Sequence, residues 1–388
     1  MEWKEVTLGD LCEISSSKRI FAKEYQSDGV PFYRGKEIIA KQKGNAISNE
    51  LFISRNRYEE IKARYGVPQQ RELLLTSVGT LGVPYVIKEE EFYFKDGNLT
   101  WFRHFNGLDV EYLYYWFLSP YGKNEINTKA IGSTQKALTI DSLSKFDIKI
   151  PANLDDQRRI ASILSSLDRK IELNNKINAD LEEMAQAIFK NWFVDFEPFK
   201  DGKFVDSELG MIPEGWKVGT LGELCNFKRG KNLLTKNAID EGVPVVAGGL
   251  EPSCYHNVAN TGAPVITVSG SGANAGFMRM YHVPVWASDC SFIDISCENF
   301  YFVYCFLKVN SKLLKHAQTG AVQPHVKPSD IHDFELVIPD KESIYEFQDK
   351  VKPFFDKIAA IQKENSRLSL LRDTLLPRLM SGEIEVPE

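Results

Sequence analysis

The sequence predicts an α+β protein in which two tandem globular portions of mixed, largely irregular β structure are each followed by a long helix. Three observations support this fold class: an internal repeat, short apolar runs broken by glycine turns in each copy, and a helical periodicity after each copy. The chain has 388 residues, of which 43% are hydrophobic and 26% charged. This composition is typical of soluble globular proteins, and the length allows two to three domains.

The internal repeat consists of blocks that recur in the same order in both halves. At an offset of 213 residues, Trp3-Lys4, Leu8-Gly9, Leu11-Cys12, Gly29-Val30-Pro31 and Gly35 become Trp216-Lys217, Leu221-Gly222, Leu224-Cys225, Gly242-Val243-Pro244 and Gly248. At an offset of 188, Gln135, Phe146, Ile150 and Pro151 become Gln323, Phe334, Ile338 and Pro339. The shorter second offset means that the first globular portion contains about 25 additional residues.

Within residues 1–150, apolar and aromatic runs predict short strands. These runs are Val30–Tyr33 and residues 73–78, 85–87, 92–94 and 147–150, separated by breaks that contain glycine. Val110–Leu118 predicts a short aromatic helix, and residues 301–307 occupy the same place in the second copy. Residues 198–213 contain two prolines and two glycines and predict the linker between the copies.

The stretch from Asp155 to Glu197 predicts a helix of roughly 38 residues and about 55 Å, because no glycine or proline lies between Pro151 and Pro198. Its seam, spaced by three and four residues, comprises Leu164, Leu167, Ile171, Asn174, Asn178, Leu181, Ala185, Ile188 and Trp192. Adding 187 gives a second seam of Val351, Phe354, Ile358, Ile361, Asn365, Leu368, Arg372, Leu375 and Leu379. The two helices are expected to pair, with seam asparagines fixing the register. Pro353 is expected to limit the second helix at its start, and Pro377 to end or kink it.

The charge pattern is compatible with nucleic acid at part of the surface. The net charge is −6, yet basic residues are in local excess in residues 18–71, and Lys228, Arg229, Lys231 and Lys236 form a cluster without acids. Such patches suit DNA contacts, but solvated protein faces carry them equally often.

Several function classes are excluded by the sequence. No apolar run reaches membrane-spanning length and the polar N-terminus is no signal peptide, while six unpatterned cysteines suit a reduced, cytoplasmic location. Residues 29–36 only approximate a phosphate loop, and residues 269–276 fit neither a dinucleotide nor a hydrolase motif. Cys254 and His256 make a poor metal signal. We therefore predict no catalytic residue, no metal site and no cofactor.

Polar loops at equivalent places in the two halves are the candidate DNA contacts. Glycine-flanked loops expose N–H and hydroxyl groups that suit phosphates or base edges, while glutamine suits adenine and lysine suits guanine or phosphate. Thr76 to Thr80 is taken to correspond roughly to Thr267 to Ser271. Gln135-Lys136 is set against Gln323 with His325 and Lys327, and Lys18-Arg19 with Arg34 and Lys36 against Lys228-Arg229 and Lys231. The candidates are Lys18, Arg19, Arg34, Lys36, Thr76, Ser77, Gly79, Thr80, Gln135, Lys136, Lys228, Arg229, Lys231, Ser269, Ser271, Asn274, Gln323, His325 and Lys327. Each alone could equally be an ordinary surface residue.

Taken together, these motifs resemble the specificity subunit of type I restriction–modification enzymes over nearly the full chain. The residues that carry the resemblance are Trp3 with Leu8-Gly9-Asp10-Leu11 and their repeat, Gly29 to Phe32 with Arg34-Gly35, Gly132 to Lys136, Asp156 to Ile160, and Leu375 to Gly382. The second copy has Ala247 where the first has Arg34, so the two copies are not expected to hold DNA in the same way.

The resemblance implies two target-recognition domains that each recognise half of an interrupted double-stranded DNA site. It also implies that the helices pair as an antiparallel coiled coil with pseudo-two-fold symmetry. Two methyltransferase subunits would dock on the helices, and restriction/translocase subunits would complete the complex and perform the chemistry. The expected domains are residues 1–151, helix 152–197, linker 198–213, domain 214–339 and helix with tail 340–388. A stand-alone scaffold or antirestriction-type decoy of the same fold remains the alternative, and an enzyme with an unrecognised site is a third.

Overall fold

The computed structural model describes residues 1–48, 50–132, 136–318 and 324–387. The chain divides into two units. The first comprises Met1–Asn174 with Glu364–Glu388, and the second comprises Asn175–Lys363. The two longest helices, α6 (Leu154–Phe193) and α10 (Lys341–Ser381), each contribute residues to both units.

The first unit is a mixed α+β structure. Its strands are β1 (Trp3–Thr7), β2 (Glu13–Ser15), β3 (Tyr25–Gln26), β4 (Val30–Tyr33), β5 (Leu51–Ile53), β6 (Leu73–Thr76), β7 (Pro84–Val86), β8 (Tyr93–Phe94), β9 (Leu99–Arg103) and β10 (Asp147–Pro151). Its short helices are α1 (Gly35–Gln42), α2 (Arg55–Tyr65), α3 (Val110–Leu118), α4 (Pro120–Lys129) and α5 (Ile140–Ser144). The strands form the pair β1-β10 and two four-stranded sheets, β2-β9-β6-β7 and β3-β5-β4-β8.

The second unit repeats this plan. Its strands are β11 (Phe204–Val205), β12 (Ile212–Pro213), β13 (Lys217–Thr220), β14 (Lys228–Arg229), β15 (Val243–Val246), β16 (Cys254–His256), β17 (Val265–Ser269), β18 (Met278–Tyr281), β19 (Trp286–Ala287), β20 (Cys290–Asp294) and β21 (Glu335–Ile338). Its short helices are α7 (Phe300–Val309), α8 (Ser311–His316) and α9 (Pro328–His332). After the β11-β12 pair come the pair β13-β21 and the sheets β14-β20-β17-β18 and β16-β15-β19.

The repeat predicted from the sequence is confirmed by the strand order. In both units the first and last strands pair antiparallel, and the sheet order 2-9-6-7 of the first unit recurs as 14-20-17-18 in the second. The parallel pairs β4-β8 and β15-β19 also correspond. Even a loop hydrogen bond recurs, since Leu8 N–H donates to the Phe146 carbonyl at 2.9 Å and Leu221 N–H to the Phe334 carbonyl at 2.8 Å.

Twenty of the roughly 25 additional residues of the first unit lie in two steps between matched strands. Val30 and Ile53 pair in the first unit as Val243 and His256 pair in the second, so the offset falls from 213 to 203 across this segment. It falls again to 193 between Ile53 and the β8 strand, which matches β19. Helices α1 and α2 occupy these two segments, where the second unit has bends and loops.

Within each unit, parts of the two long helices pack on the globular core. In the first unit, Ile160 and Leu164 of α6 belong to the same buried cluster as Leu379 of α10. In the second unit, Phe189 of α6 packs on Phe347 of α10 at 5.6 Å between ring centroids. These contacts explain the long amphipathic patterns, because each segment buries its apolar stripe against the domain and against its helical neighbour.

The predicted seam residues are all buried or half-buried. Leu164, Asn174, Ala185, Val351, Ile358, Ile361 and Leu379 are buried, whereas Leu167, Ile171, Asn178, Leu181, Ile188, Trp192, Phe354, Asn365, Leu368, Arg372 and Leu375 are half-buried. Phe355 rather than Phe354 is the buried aromatic residue of its turn. In the first unit, the Asn174 amide donates to the side chain of Asn365 at 2.7 Å, so the predicted polar residues do meet there.

The expectation that Pro353 limits the second helix at its start is wrong, and Pro377 does not end that helix. Helix α10 begins at Lys341, twelve residues before Pro353, and continues past Pro377 to Ser381. Each proline deprives the residue four positions earlier of a hydrogen bond to its carbonyl, but Asp349 and Asp373 are exposed, and their carbonyls can bond water. The helix instead ends at Gly382, which adopts a left-handed conformation with φ +81°.

Candidate nucleic-acid interface

The structure brings two of the predicted motif groups together in each unit. In the first, the Leu138 N–H donates to the Ser77 carbonyl at 2.9 Å, which places the segment around Lys136 beside the end of β6. In the second, the Val326 N–H donates to the Gly270 carbonyl at 3.1 Å and places the segment around His325 beside the end of β17. The same two segments thus meet at the same end of the same sheet in both units.

This geometry corrects the residue equivalence expected from the sequence. Because Leu138 and Val326 are 188 residues apart, their acceptors Ser77 and Gly270 occupy equivalent positions. Thr76 is then matched with Ser269, the residue that ends β17, and not with Thr267. The error of two residues arose because the offset inside the sheet is 193, between the larger and smaller offsets visible in the sequence.

Three of the predicted hydroxyl contacts are buried and serve the fold. The Thr76 hydroxyl accepts the Val83 N–H at 2.9 Å, and the Ser77 hydroxyl shares a hydrogen bond with the Thr100 hydroxyl at 2.5 Å. The Ser269 hydroxyl donates to the Gly248 carbonyl at 3.3 Å. All three residues are at most 3% exposed, so their side chains do not reach the surface and the expectation that they contact DNA is corrected.

Other predicted contacts lie at the surface near these strand ends. Gly79, Thr80, Lys136 and Lys327 are exposed, and Gly79 has a left-handed φ of +82°. Ser271, Asn274 and His325 are half-buried. The amide of Asn274 donates to the Gly248 carbonyl at 3.3 Å, and Ser271 bonds the carboxylate of Asp289. Gln135 and Gln323 lie outside the described residues.

The basic segments after β2 and at β14 also meet equivalent partners. The Lys18 N–H donates to the Tyr93 hydroxyl at 2.6 Å, and the Trp286 indole donates to the Lys231 carbonyl at 2.8 Å. Since Tyr93 and Trp286 occupy matching positions of β8 and β19, Lys18 corresponds to Lys231 within the two basic groups that the sequence had set against each other. Both lysine side chains are exposed, as is that of Lys228.

Arg34 is held inside the first unit by an acid. Its guanidinium donates to both oxygens of Glu37, at 2.6 and 3.2 Å, and Lys36 lies 3.6 Å from the same carboxylate. Burial alone would raise the pKa of Glu37, but the hydrogen bonds and charge of Arg34 outweigh it and lower the pKa below its usual value. This pair caps the start of α1. The second unit lacks this helix and has Ala247 in place of Arg34.

Two aspartates near these strand ends were not predicted from the sequence. Asp96 and Asp289 each lie two residues after a matched strand, β8 or β19. Asp96 pairs with Arg19 at 2.8 Å, and Asp289 pairs with Arg229. Searching for identities at an offset of 193 would have found them, since that offset relates the two strands.

The described residues contain no cluster suited to a metal ion. Burial raises the pKa of the Cys12 and Cys290 thiols to about 12, which keeps both protonated and unreactive. None of the helices described is long and apolar enough to cross a bilayer.

Comparisons with known proteins identify similar chains. The sequence matches the type I restriction modification DNA specificity domain over residues 1–183 and 213–369. The MjaIX type I restriction enzyme specificity subunit of Methanocaldococcus jannaschii is 29% identical over 416 residues, covering 100% of this chain and 94% of the relative. The HindI specificity subunit of Haemophilus influenzae is 28% identical over 335 residues, covering 64% and 71%. The crystal structure of the S subunit from M. genitalium shares the fold, with a TM-score of 0.59, 19% identity, and coverage of 97% and 96%.

Proposed function

This chain belongs to the type I restriction modification DNA specificity family, whose members are non-catalytic recognition components, and from that premise we propose that it recognises a bipartite DNA target. Residues 1–151 and 214–339 act as the two target-recognition domains, each binding one half of an interrupted double-stranded site. The observation that carries this proposal is the repeated sheet framework, in which the same segments meet at the same strand ends in both units.

The two half-sites are expected to differ in sequence. The sheets are shared, but the segments that connect their strands differ. Helices α1 and α2 are inserted in the first domain, and the second domain has Ala247 in place of Arg34. The contacts that remain available are Lys18, Arg19, Lys36, Gly79, Thr80 and Lys136 in one domain, and Lys228, Arg229, Lys231, Ser271, Asn274, His325 and Lys327 in the other. Gln135 and Gln323 remain candidates from the sequence. Base edges supply specificity and phosphates supply position.

Helices 152–197 and 340–388 would pair as an antiparallel coiled coil and form the spacer between the domains. Their apolar stripes and the Asn174–Asn365 hydrogen bond support a pair with one register. The outer helical faces would dock two methyltransferase subunits, with the restriction/translocase subunits completing the complex. The net charge of −6 fits this division of roles, since partner chains can supply much of the phosphate attraction.

The direct test is to express the modification subunits with and without this chain and to map methylated sites in a genome. We expect bipartite methylated sites only when the chain is present. Unchanged methylation without it would overturn the proposal. DNA binding that ignores sequence in the assembled complex would instead favour a decoy of the same fold.

A heptad insertion tests the spacer role separately. Seven residues inserted within residues 173–181 should lengthen the gap between the half-sites and leave both half-sites unchanged, because a heptad preserves the helical face. An unchanged gap in the methylated sites would contradict the spacer assignment while leaving the recognition role intact.

A further inference from the structure

Each unit contains an exposed arginine that forms an ion pair with an aspartate near the strand ends of the candidate interface. In the first unit, Nε of Arg19 lies 2.8 Å from Oδ2 of Asp96. In the second, Nη2 of Arg229 donates to Oδ1 of Asp289. The acid occupies the same place in both folds, two residues after the strand that pairs in parallel with the central strand of its sheet.

Both aspartates lie next to the strand ends where the predicted loops meet. The Ser77 N–H donates to the carbonyl of Asn98, two residues after Asp96, and the equivalent Gly270 N–H donates to the carbonyl of Asp289 itself. The connection after β8 has two more residues than the connection after β19. The two aspartates therefore keep their place despite a change in loop length. The arginines that they bind come from different positions, since Arg19 follows Lys18 directly and Arg229 lies two residues before Lys231.

Both guanidinium groups are oriented by a carboxylate and remain partly exposed. The arginine is the more exposed partner in both pairs, at 67% against 15% for Asp96 and 45% against 30% for Asp289. Within the described part of the chain, Arg19 uses only Nε, which leaves the edge formed by its two terminal nitrogens for a ligand. An ion pair this exposed contributes little stability.

The second pair is also positioned by a glycine and a serine. Ser271 donates to Oδ2 of Asp289, so both oxygens of that carboxylate are bonded. A side-chain carbon added at Gly270 would collide with the guanidinium of Arg229, so the glycine leaves the space in which that group lies. Gly270 therefore helps to orient Arg229, a role that the sequence did not predict.

Taking these features together, and resting on the proposed function, we infer that Arg19 and Arg229 each recognise a guanine in one half-site, with Asp96 and Asp289 as positioning residues. A guanidinium fixed on one side by a carboxylate presents two parallel N–H groups, which match O6 and N7 of guanine in the major groove. Each half-site then contains a G·C pair specified by its own arginine.

Methylated-site mapping with the complete complex tests this inference, using R19K and R229K with D96N and D289N. Lysine keeps the charge and loses the planar fork. We expect R19K to reduce discrimination roughly ten- to a hundredfold at one G·C position of one half-site, and R229K to do so in the other. The two aspartate variants should relax the same positions as their arginine partners, to a smaller extent.

Matched exposed ion pairs elsewhere provide the controls. Arg55 lies 2.5 Å from Glu91 in the first unit, and Arg279 lies 3.1 Å from Glu251 in the second. R55K and R279K should leave every base preference unchanged. The unaltered half-site in each variant also shows that the chain has folded.

Two results would overturn the inference. One is an unchanged target in R19K and R229K; the other is uniform weakening without altered base preference, which indicates phosphate contacts alone. If the wild-type complex itself gives no bipartite sites, the proposed function fails first, so the two failures are distinguishable.

Discussion

The two units share a framework and differ in what is attached to it. The first and last strands, the central four-stranded sheet and the parallel strand pair recur with matching partners. The first unit adds α1 and α2 and holds Arg34 against a buried Glu37, whereas the second has loops there. The residues that keep their spacing are those committed to backbone pairing and core packing, so the differences between the two units lie mainly in the connections between strands.

If the framework depends on its core, the largest effects should come from buried residues at matched helix positions. Phe347 is fully buried, with its ring 5.2 Å from Phe193 and 5.6 Å from Phe189 between centroids, and Ile160 is its counterpart 187 residues earlier. Phe347→Ala should lower the free energy of unfolding by about 3–5 kcal/mol and Ile160→Ala by about 2–5 kcal/mol.

Urea unfolding measures the totals, and hydrogen exchange locates them. Each variant should lose amide protection mainly in its own unit. Protection lost equally in both units would show that they unfold as one body and would break the comparison at its base.

The next largest loss of stability is expected from a buried glutamine of the first unit. Gln157 is fully buried, accepts the Asp109 N–H at 2.8 Å and donates to the Gly107 and Pro151 carbonyls. Gln157→Ala leaves these groups without partners inside the protein and should cost about 1–3 kcal/mol of stability.

In the second unit Gln348 makes similar bonds from a different position, since the 187-residue offset matches it with Ala161, and its loss should cost less. Gln348 bonds the Tyr301 N–H at 3.0 Å and the Glu298 carbonyl at 2.9 Å, but it is only half-buried, so water can replace it. We expect Gln348→Ala to cost about 0.5–1 kcal/mol. Equal losses in urea titrations would contradict the assigned difference in burial.

Substitutions at the predicted DNA contacts should each affect binding to one half-site only. Gln135→Ala should weaken one half-site and Gln323→Ala the other, each by about 1–3 kcal/mol if a bidentate contact to adenine is lost. Binding of the assembled complex to DNA with single base changes provides the measurement. Weakening of both half-sites by either variant would remove these glutamines from the interface.

The sequence predicted the strands and helices that the two units share better than the helices inserted between them. Strand β4 and helix α3 have the predicted bounds because continuous apolar and aromatic runs produced them. Helix α2 was missed because its sequence is mostly charged and only Tyr58 and Ile61 are buried. Its start depends on the Ser54 side chain, which accepts the Arg57 N–H at 3.2 Å.

The candidate site was predicted at the level of segments and not of atoms. The loops after β6 and β17 and the segments near Lys136 and His325 do meet, but which hydroxyls face inward depends on strand ends that the sequence did not fix. Asp96 and Asp289 were not predicted because a carboxylate repels phosphate and is not by itself a signal for DNA binding. Their importance emerges only when the arginines beside them are located.

The smallest expected effect concerns one tryptophan that recurs in both units with different partners. The indole of Trp216 donates to Asp340 at 2.8 Å, whereas Trp3 packs beside Gly382. Burial would raise the pKa of Asp340, but hydrogen bonds from Ser343 and Trp216 outweigh it and lower the pKa below the usual value of an aspartate. A carboxylate with a lowered folded-state pKa stabilises the fold above its unfolded pKa, and this contribution is lost as the pH falls through the folded value. As the pH falls below the usual pKa of an aspartate, the second unit should therefore lose stability more steeply in the wild type than in Asp340→Asn, as followed by pulsed hydrogen exchange of that unit during acid unfolding. Superimposed acid titrations of the two proteins would show that the Trp216 contact is electrostatically neutral and that the repeat differs here in packing alone.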